Sequence, residues 1–132
     1  MQKLVLICTS IIFLSACNSK HSTGETNLQN GQKWKVNAEM KPHIDQGIGV
    51  LKAYLSQGNT DYSALEKALQ VQNTDLIESR TLKGESHDEL HKWLHPHMAL
   101  IEKLSKAKDL TEANTIISQI EQSFKNHQNY FE

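Results

Sequence analysis

The chain has 132 residues, of which 14 are lysine or arginine and 15 are aspartate or glutamate, so its formal net charge is −1. Charges of both signs are mixed along the sequence without a basic stripe, so we expect no nucleic-acid partner. This length suffices for one domain with a small hydrophobic core.

The N-terminal segment, MQKLVLICTSIIFLSAC, has the pattern of an export signal. Lys3 precedes an apolar run over residues 4–14, which is shorter than the roughly 20 residues of a membrane-spanning helix. Residues 14–17, LSAC, resemble the cleavage site of bacterial lipoproteins, whose signal peptidase cuts before a lipid-modified cysteine. The alternatives are an ordinary secretory signal with a chance cysteine and a short membrane anchor.

This resemblance implies a signal peptide at residues 1–16 and a diacylglyceryl group on Cys17. It also implies a lipid-anchored protein of the bacterial cell envelope that faces the periplasm, with the membrane as its partner. Cys8 would leave with the signal, so no thiol would remain for a disulfide or a metal. Residues 17–33 are polar after the cysteine and predict a flexible tether, which leaves residues 34–132 as the folded domain.

The folded domain shows helical spacing of its apolar residues and no strand-like alternation. The first helix begins near Lys41 with Pro42 in its first turn, or begins at Asn37 and bends at Pro42. It ends at Gly58, which suits a left-handed C-terminal cap. We expect its inward residues to be Val36, Met40, Ile44, Ile48, Leu51 and Leu55.

The second helix runs from about Asp61 to Arg80 and is separated from the third by Gly84. Ser86 and Glu89 have the spacing of a capping box at the start of the third helix, and Pro96 predicts a kink in it. The inward residues expected for these two helices are Tyr62, Leu65, Leu69, Leu76, Ile77, Leu90, Trp93, Leu94, Ile101 and Leu104.

The fourth helix begins with a second capping pattern, Asp109 and Glu112. Four such helices with short connections predict an all-α, antiparallel, up-down-up-down four-helix bundle. A three-helix fold, with the second and third helices partly merged, is the alternative. The inward residues expected for the fourth helix are Ala113, Ile117, Ile120, Phe124, His127 and Phe131.

Residues 87–97, HDELHKWLHPH, hold four of the seven histidines. His87 and His91 are four residues apart and therefore share a helix face, where two imidazoles can chelate one metal ion. His97 is directed into the core, and His95 faces solvent. The bundle topology brings further candidate ligands to the same end of the domain, namely Met40, His43 and His127. Imidazole together with thioether suits copper better than magnesium or calcium, which prefer oxygen ligands, and zinc or haem is the less favoured cofactor.

Two further resemblances bear on function. From Trp34 to Phe131 the chain resembles small, uncharacterised helical envelope lipoproteins, whose signature is similar to residues 81–97, TLKGESHDELHKWLHPH. This resemblance implies a fold and a location but no activity. Met40 and His127 resemble the axial ligands of soluble b-type four-helix cytochromes, which implies haem. HDELH differs from the zinc-protease motif H-E-x-x-H, because Asp88 shortens the general base, and we expect no enzyme activity.

We therefore expect a membrane-tethered bundle that binds a transition metal of the copper type through His87 and His91, completed by Met40, His43 or His127. A cofactor-free structural or adaptor lipoprotein is the alternative, and a b-type haem electron carrier is a further one.

Overall fold

The structure is a computed structural model that describes residues 25–132, and these form four helices. α1 is Lys41–Ser56, α2 is Tyr62–Ser79, α3 is Glu85–Ser105 and α4 is Leu110–Tyr130. Within the described range there is no β-strand, only two isolated bridges. α1 packs against α2 and α4, and α3 packs against α2 and α4. The prediction of an all-α four-helix bundle is confirmed.

The contacts between neighbouring helices join the start of one to the end of the next. Asn37, which lies just before α1, donates a hydrogen bond to the carbonyl oxygen of Ser79 at the end of α2. The hydroxyl of Tyr62 at the start of α2 donates to the carbonyl of Ala107 just after α3. Antiparallel neighbours with short connections make contacts in this order.

Most helix ends follow from their local sequence. Pro42 lies in the first turn of α1, where its missing N–H costs no hydrogen bond. After α1, Gly58 has φ +61°, and the amide of Asn59 reaches back to the carbonyl of Tyr54, as in a Schellman motif. At the start of α4, the Asp109 carboxylate accepts from the Glu112 amide at 2.8 Å, so this predicted cap is confirmed.

The prediction of a capping box at the start of α3 was wrong. The chain turns at Gly84, which has φ +68°, so the helix already begins at Glu85 and Ser86 lies inside it. No side chain caps this end. Glu89 instead pairs with Lys92 and accepts a hydrogen bond from the backbone amide of Asn27. α3 then continues through Pro96.

Every inward residue expected for α3 and α4 is buried, and one of them, Phe131, lies directly after the end of α4. α1 differs, because Leu55 is 47% exposed and Tyr54 is buried in its place. Gly47 is also buried in α1, and an added Cβ at this residue would lie 3.0 Å from Cζ of Phe124 in α4. The missing side chain lets α1 approach α4 at Gly47, which lies in the buried row of Ile44, Gly47, Leu51 and Tyr54.

The two ends of the described chain are joined. Trp34 donates its backbone amide to the carbonyl of Tyr130, and Glu132 donates its amide to the carbonyl of Trp34. The indole N–H of Trp34 donates to the carbonyl of Asn27. Asn27, which belongs to the segment assigned to the tether, therefore contacts the folded domain at Trp34 and at Glu89 of α3.

Substituting the glycines of α1 tests the close approach of α1 to α4. Gly47→Ala should lower the free energy of unfolding by about 1 kcal/mol, because overpacking costs about 1–3 kcal/mol and better helix propensity returns only about 0.5–1 kcal/mol. Gly49 lies on the same helix with no atom within 4 Å of an added Cβ. Gly49→Ala should therefore stabilise the protein by about 0.5–1 kcal/mol. Urea denaturation measures both, and equal stabilisation by the two variants would contradict the packing of Gly47 on Phe124.

Candidate metal-binding face of α3

The rotation of α3 is set by two hydrogen bonds to one residue of α4. The indole N–H of Trp93 donates to the carbonyl of Ser123 at 2.8 Å, and Nδ1 of His97 lies 2.8 Å from the Ser123 hydroxyl. Trp93 and His97 are both buried. Because they lie four residues apart, they define the side of α3 that faces α4.

Two histidines are buried among aromatic rings, in what we call the aromatic cluster. The rings of His97 and Trp93 are stacked with centroids 4.8 Å apart, and the ring of His127 contacts that of Trp93 at 4.6 Å. Burial lowers the pKa of His97 to about 4. Burial, followed by the charges of His97 and Lys33, lowers the pKa of His127 to about 3. Both imidazoles are therefore neutral near pH 7. The cluster comprises Trp93, His97, Phe124, His127 and Phe131.

A second group of histidines, which we call the histidine row, lies on another face of α3 and consists of His87, His91 and His95. The ring centroids of His87 and His91 are 4.3 Å apart, and those of His91 and His95 are 4.7 Å apart. Nδ1 of His91 lies 2.7 Å from Nε2 of His95. His95 is exposed, as the sequence predicts. The sequence predicts only His87 and His91 as a pair, however, whereas in the structure His95 contacts His91 as well.

Arg80, at the end of α2, fixes how the protons of the histidine row are arranged. Its guanidinium lies 2.8 Å from Nε2 of His91 and can only donate. Nε2 of His91 therefore accepts, so the neutral ring carries its proton on Nδ1 and donates it to His95. Burial lowers the pKa of His91, and the charges of His87, Arg80 and His95 lower it further.

The histidine row borders a groove between α2 and α3 with a volume of about 630 Å³. The lining contains Arg80, His91, His95 and Met98, and Met98 is 37% exposed. Met98 is not among the ligands predicted from the sequence, although it follows His91 by seven residues, which is about two helical turns. The remaining apolar lining comes from Ile77, Leu94, Ala99 and Ile101, and the remaining polar lining from Gln70, Asn73, Thr74 and Glu102.

The five residues predicted as metal ligands occupy separate environments. His87 and His91 belong to the histidine row, and His127 belongs to the aromatic cluster. Nδ1 of His43 lies 4.0 Å from the Asp75 carboxylate. Met40 is fully buried in the core and does not line the cavity beside His127. Cys17, the predicted lipidation site, lies outside the described residues.

The histidine row is arranged for hydrogen bonding in this structure. Among residues 25–132, no group of three or more histidine, cysteine, aspartate or glutamate side chains is placed to hold a metal ion. Two nitrogens bound to one tetrahedral ion at about 2.0–2.1 Å lie roughly 3.3 Å apart. The 2.7 Å contact between His91 and His95 would therefore have to widen slightly to admit an ion between them.

Comparisons of this chain with known protein families, with curated proteins and with solved structures found no match. No helix among the described residues is long and apolar enough to cross a membrane.

The aromatic cluster predicts a loss of stability in mild acid. The pKa values of His97 and His127 are lower in the folded protein than the value of about 6.5 in an unfolded chain, so below that pH the unfolded chain binds more protons. We expect constant stability above pH 7.5. Between pH 7.5 and 5.5 the free energy of unfolding should fall by about 2–3 kcal/mol, because one pKa unit corresponds to about 1.4 kcal/mol. Urea denaturation at both pH values measures this loss.

His127→Phe provides the control for this effect. The variant keeps an aromatic ring beside Trp93 and Phe131 and removes one of the two buried titrating groups. It should therefore lose about half as much stability between the two pH values. A wild-type protein that is equally stable at pH 7.5 and 5.5 would contradict the burial of neutral imidazoles in the core.

Proposed function

We propose that this protein is a lipid-anchored lipoprotein of the bacterial envelope whose helical bundle binds a transition-metal ion of the copper type at the histidine row. The observation that carries the proposal is the position of His91, whose ring contacts those of both His87 and His95. Imidazole nitrogens on successive helical turns can meet at one ion. The proposal keeps His87 and His91 from the predicted ligands and adds His95.

The chemistry of the donors favours copper. Imidazole binds copper and zinc well, and a thioether ligand shifts the preference toward Cu(I). Met98 offers such a sulfur in the groove that His91 and His95 also line. Two or three protein ligands leave coordination positions open to a ligand from solution, which suits a protein that takes up and releases an ion.

The proposed anchor rests on the sequence of residues 14–17. A lipid on Cys17 would hold the bundle at the membrane surface, and residues 18–24 would connect the lipid to residues 25–132.

Removing two ligands tests metal binding. His87→Gln combined with His91→Gln should lower the affinity for Cu(II) at least about ten-fold, because loss of chelation costs more than one ligand alone. Circular dichroism should show unchanged helicity, since both side chains are outside the buried core. The affinity is measured by titration calorimetry, and nitrogen hyperfine structure in electron paramagnetic resonance reports the ligands.

His43→Gln is the matched control, because His43 is also partly exposed but lies on α1, away from the histidine row. It should leave Cu(II) affinity unchanged. If the double variant binds Cu(II) as tightly as the wild type does, the histidine row is not the site, and the cofactor-free adaptor function becomes the better explanation.

Replacing the acylated residue tests the anchor. Cys17→Ser should abolish incorporation of labelled fatty acid and leave the precursor uncleaved or release the protein from the membrane fraction, because the lipid is attached through sulfur. A wild-type protein that incorporates no labelled fatty acid would contradict the lipoprotein assignment.

A further inference from the structure

The Arg80 guanidinium opposes metal binding between His91 and His95. An ion held by Nδ1 of His91 and Nε2 of His95 needs a lone pair on each of these two atoms. In the structure, Nδ1 of His91 carries the proton, because Nε2 accepts from Arg80. Binding therefore requires the ring proton to move to Nε2, which can then no longer accept from the guanidinium.

Arg80 would then lose its hydrogen bond to His91. Its guanidinium would lie next to the bound metal ion and next to the N–H donor at Nε2 of His91. The guanidinium of Arg80 would repel the metal ion, and Nε2–H of His91 would have no acceptor. Both effects weaken metal binding. An anionic oxygen ligand would remove both difficulties. A carboxylate can pair with a guanidinium through two parallel hydrogen bonds. A carboxylate is also the usual acceptor for the second N–H of a metal-bound imidazole.

We propose that the groove between α2 and α3 binds a small organic carboxylate at Arg80, and that carboxylate and metal bind cooperatively at adjacent positions. This inference rests on the proposed metal-binding function. In the doubly bound state, the carboxylate accepts from Arg80 and from Nε2–H of His91, while Nδ1 of His91 and Nε2 of His95 hold the ion and His87 supplies the third imidazole of the row. No net proton is taken up or released, because the His91 proton moves between its two ring nitrogens.

The groove lining indicates what kind of carboxylate it accepts. Its volume of about 630 Å³ lies within the range of about 300–1,000 Å³ usual for small-molecule sites. Ile77, Leu94 and Ile101 give it an apolar surface that would receive a hydrocarbon group. Arg80 is the one arginine or lysine among the described residues that line the groove, and Glu102 of the lining is already paired with Lys106, so the lining offers one guanidinium for one carboxylate. The preferred ligand is therefore a monocarboxylate with an apolar remainder.

The experiment measures Cu(II) affinity of the full chain in sodium perchlorate, sodium acetate and sodium hexanoate at equal ionic strength, after correction for copper bound by the free anions. For the wild type, we expect at least about ten-fold tighter binding in either carboxylate than in perchlorate, within the usual range of coupling between sites. The concentration that gives half of the increase in Cu(II) affinity should be lower for hexanoate than for acetate, because the hydrocarbon chain of hexanoate can pack against the apolar lining of the groove.

Arg80→Gln separates the role of the guanidinium. In perchlorate this variant should bind Cu(II) more tightly than the wild type does, because the guanidinium charge beside the ion is gone and the neutral amide of glutamine can turn its oxygen toward Nε2–H of His91. Carboxylates should no longer raise its affinity. Lys83→Gln is the matched control, since it removes the same charge from an exposed residue of the same connection between α2 and α3. It should behave like the wild type in all three salts.

Two results would overturn the inference while leaving the proposed function intact. One is wild-type binding of Cu(II) with the same affinity in all three salts, and the other is an equal carboxylate effect in Arg80→Gln. The proposed function itself fails if the wild type binds no Cu(II) in any salt, or if binding does not depend on His87 and His91, and the cooperative carboxylate site then fails with it.

Discussion

The contact of Trp93 and His97 with Ser123 determines how the rest of the molecule is arranged. Two side chains on successive turns of α3 bond to one residue of α4, one to its carbonyl and the other to its hydroxyl. A helix held at two such points cannot rotate without breaking both hydrogen bonds inside the core, where an unpaired polar group costs about 1–3 kcal/mol. The direction of every other side chain on α3 follows from this contact.

One consequence is that α3 carries two kinds of histidine. Successive residues turn by about 100°, so His91 and His95, each two residues before a residue of the buried pair, point away from α4 and toward α2. Burial keeps His97 neutral among aromatic rings, where it serves packing. The partly and fully exposed imidazoles keep their nitrogens accessible to the groove. The same residue type thus serves the core on one face and the candidate site on another.

The end of α2 completes the candidate site. Asn37 bonds to the carbonyl of Ser79, which holds the last turn of α2 beside the start of α1. The next residue, Arg80, reaches His91 from that position. The site therefore depends on how α2 packs against α1 as well as on α3. Because the Arg80 guanidinium lies beside the candidate metal ligands, we propose that metal binding is coupled to binding of a carboxylate.

The amino-acid sequence by itself determined the four helices, the buried rows of α3 and α4, and the caps at Gly58 and Asp109, because each depends on residues within a few positions of one another. Only the tertiary structure decided that Tyr54 rather than Leu55 is buried and that Arg80 reaches His91. Those outcomes depend on how closely two helices approach and on how each is rotated. Spacing along one helix does not encode these distances, because the side chains of both helices set them together.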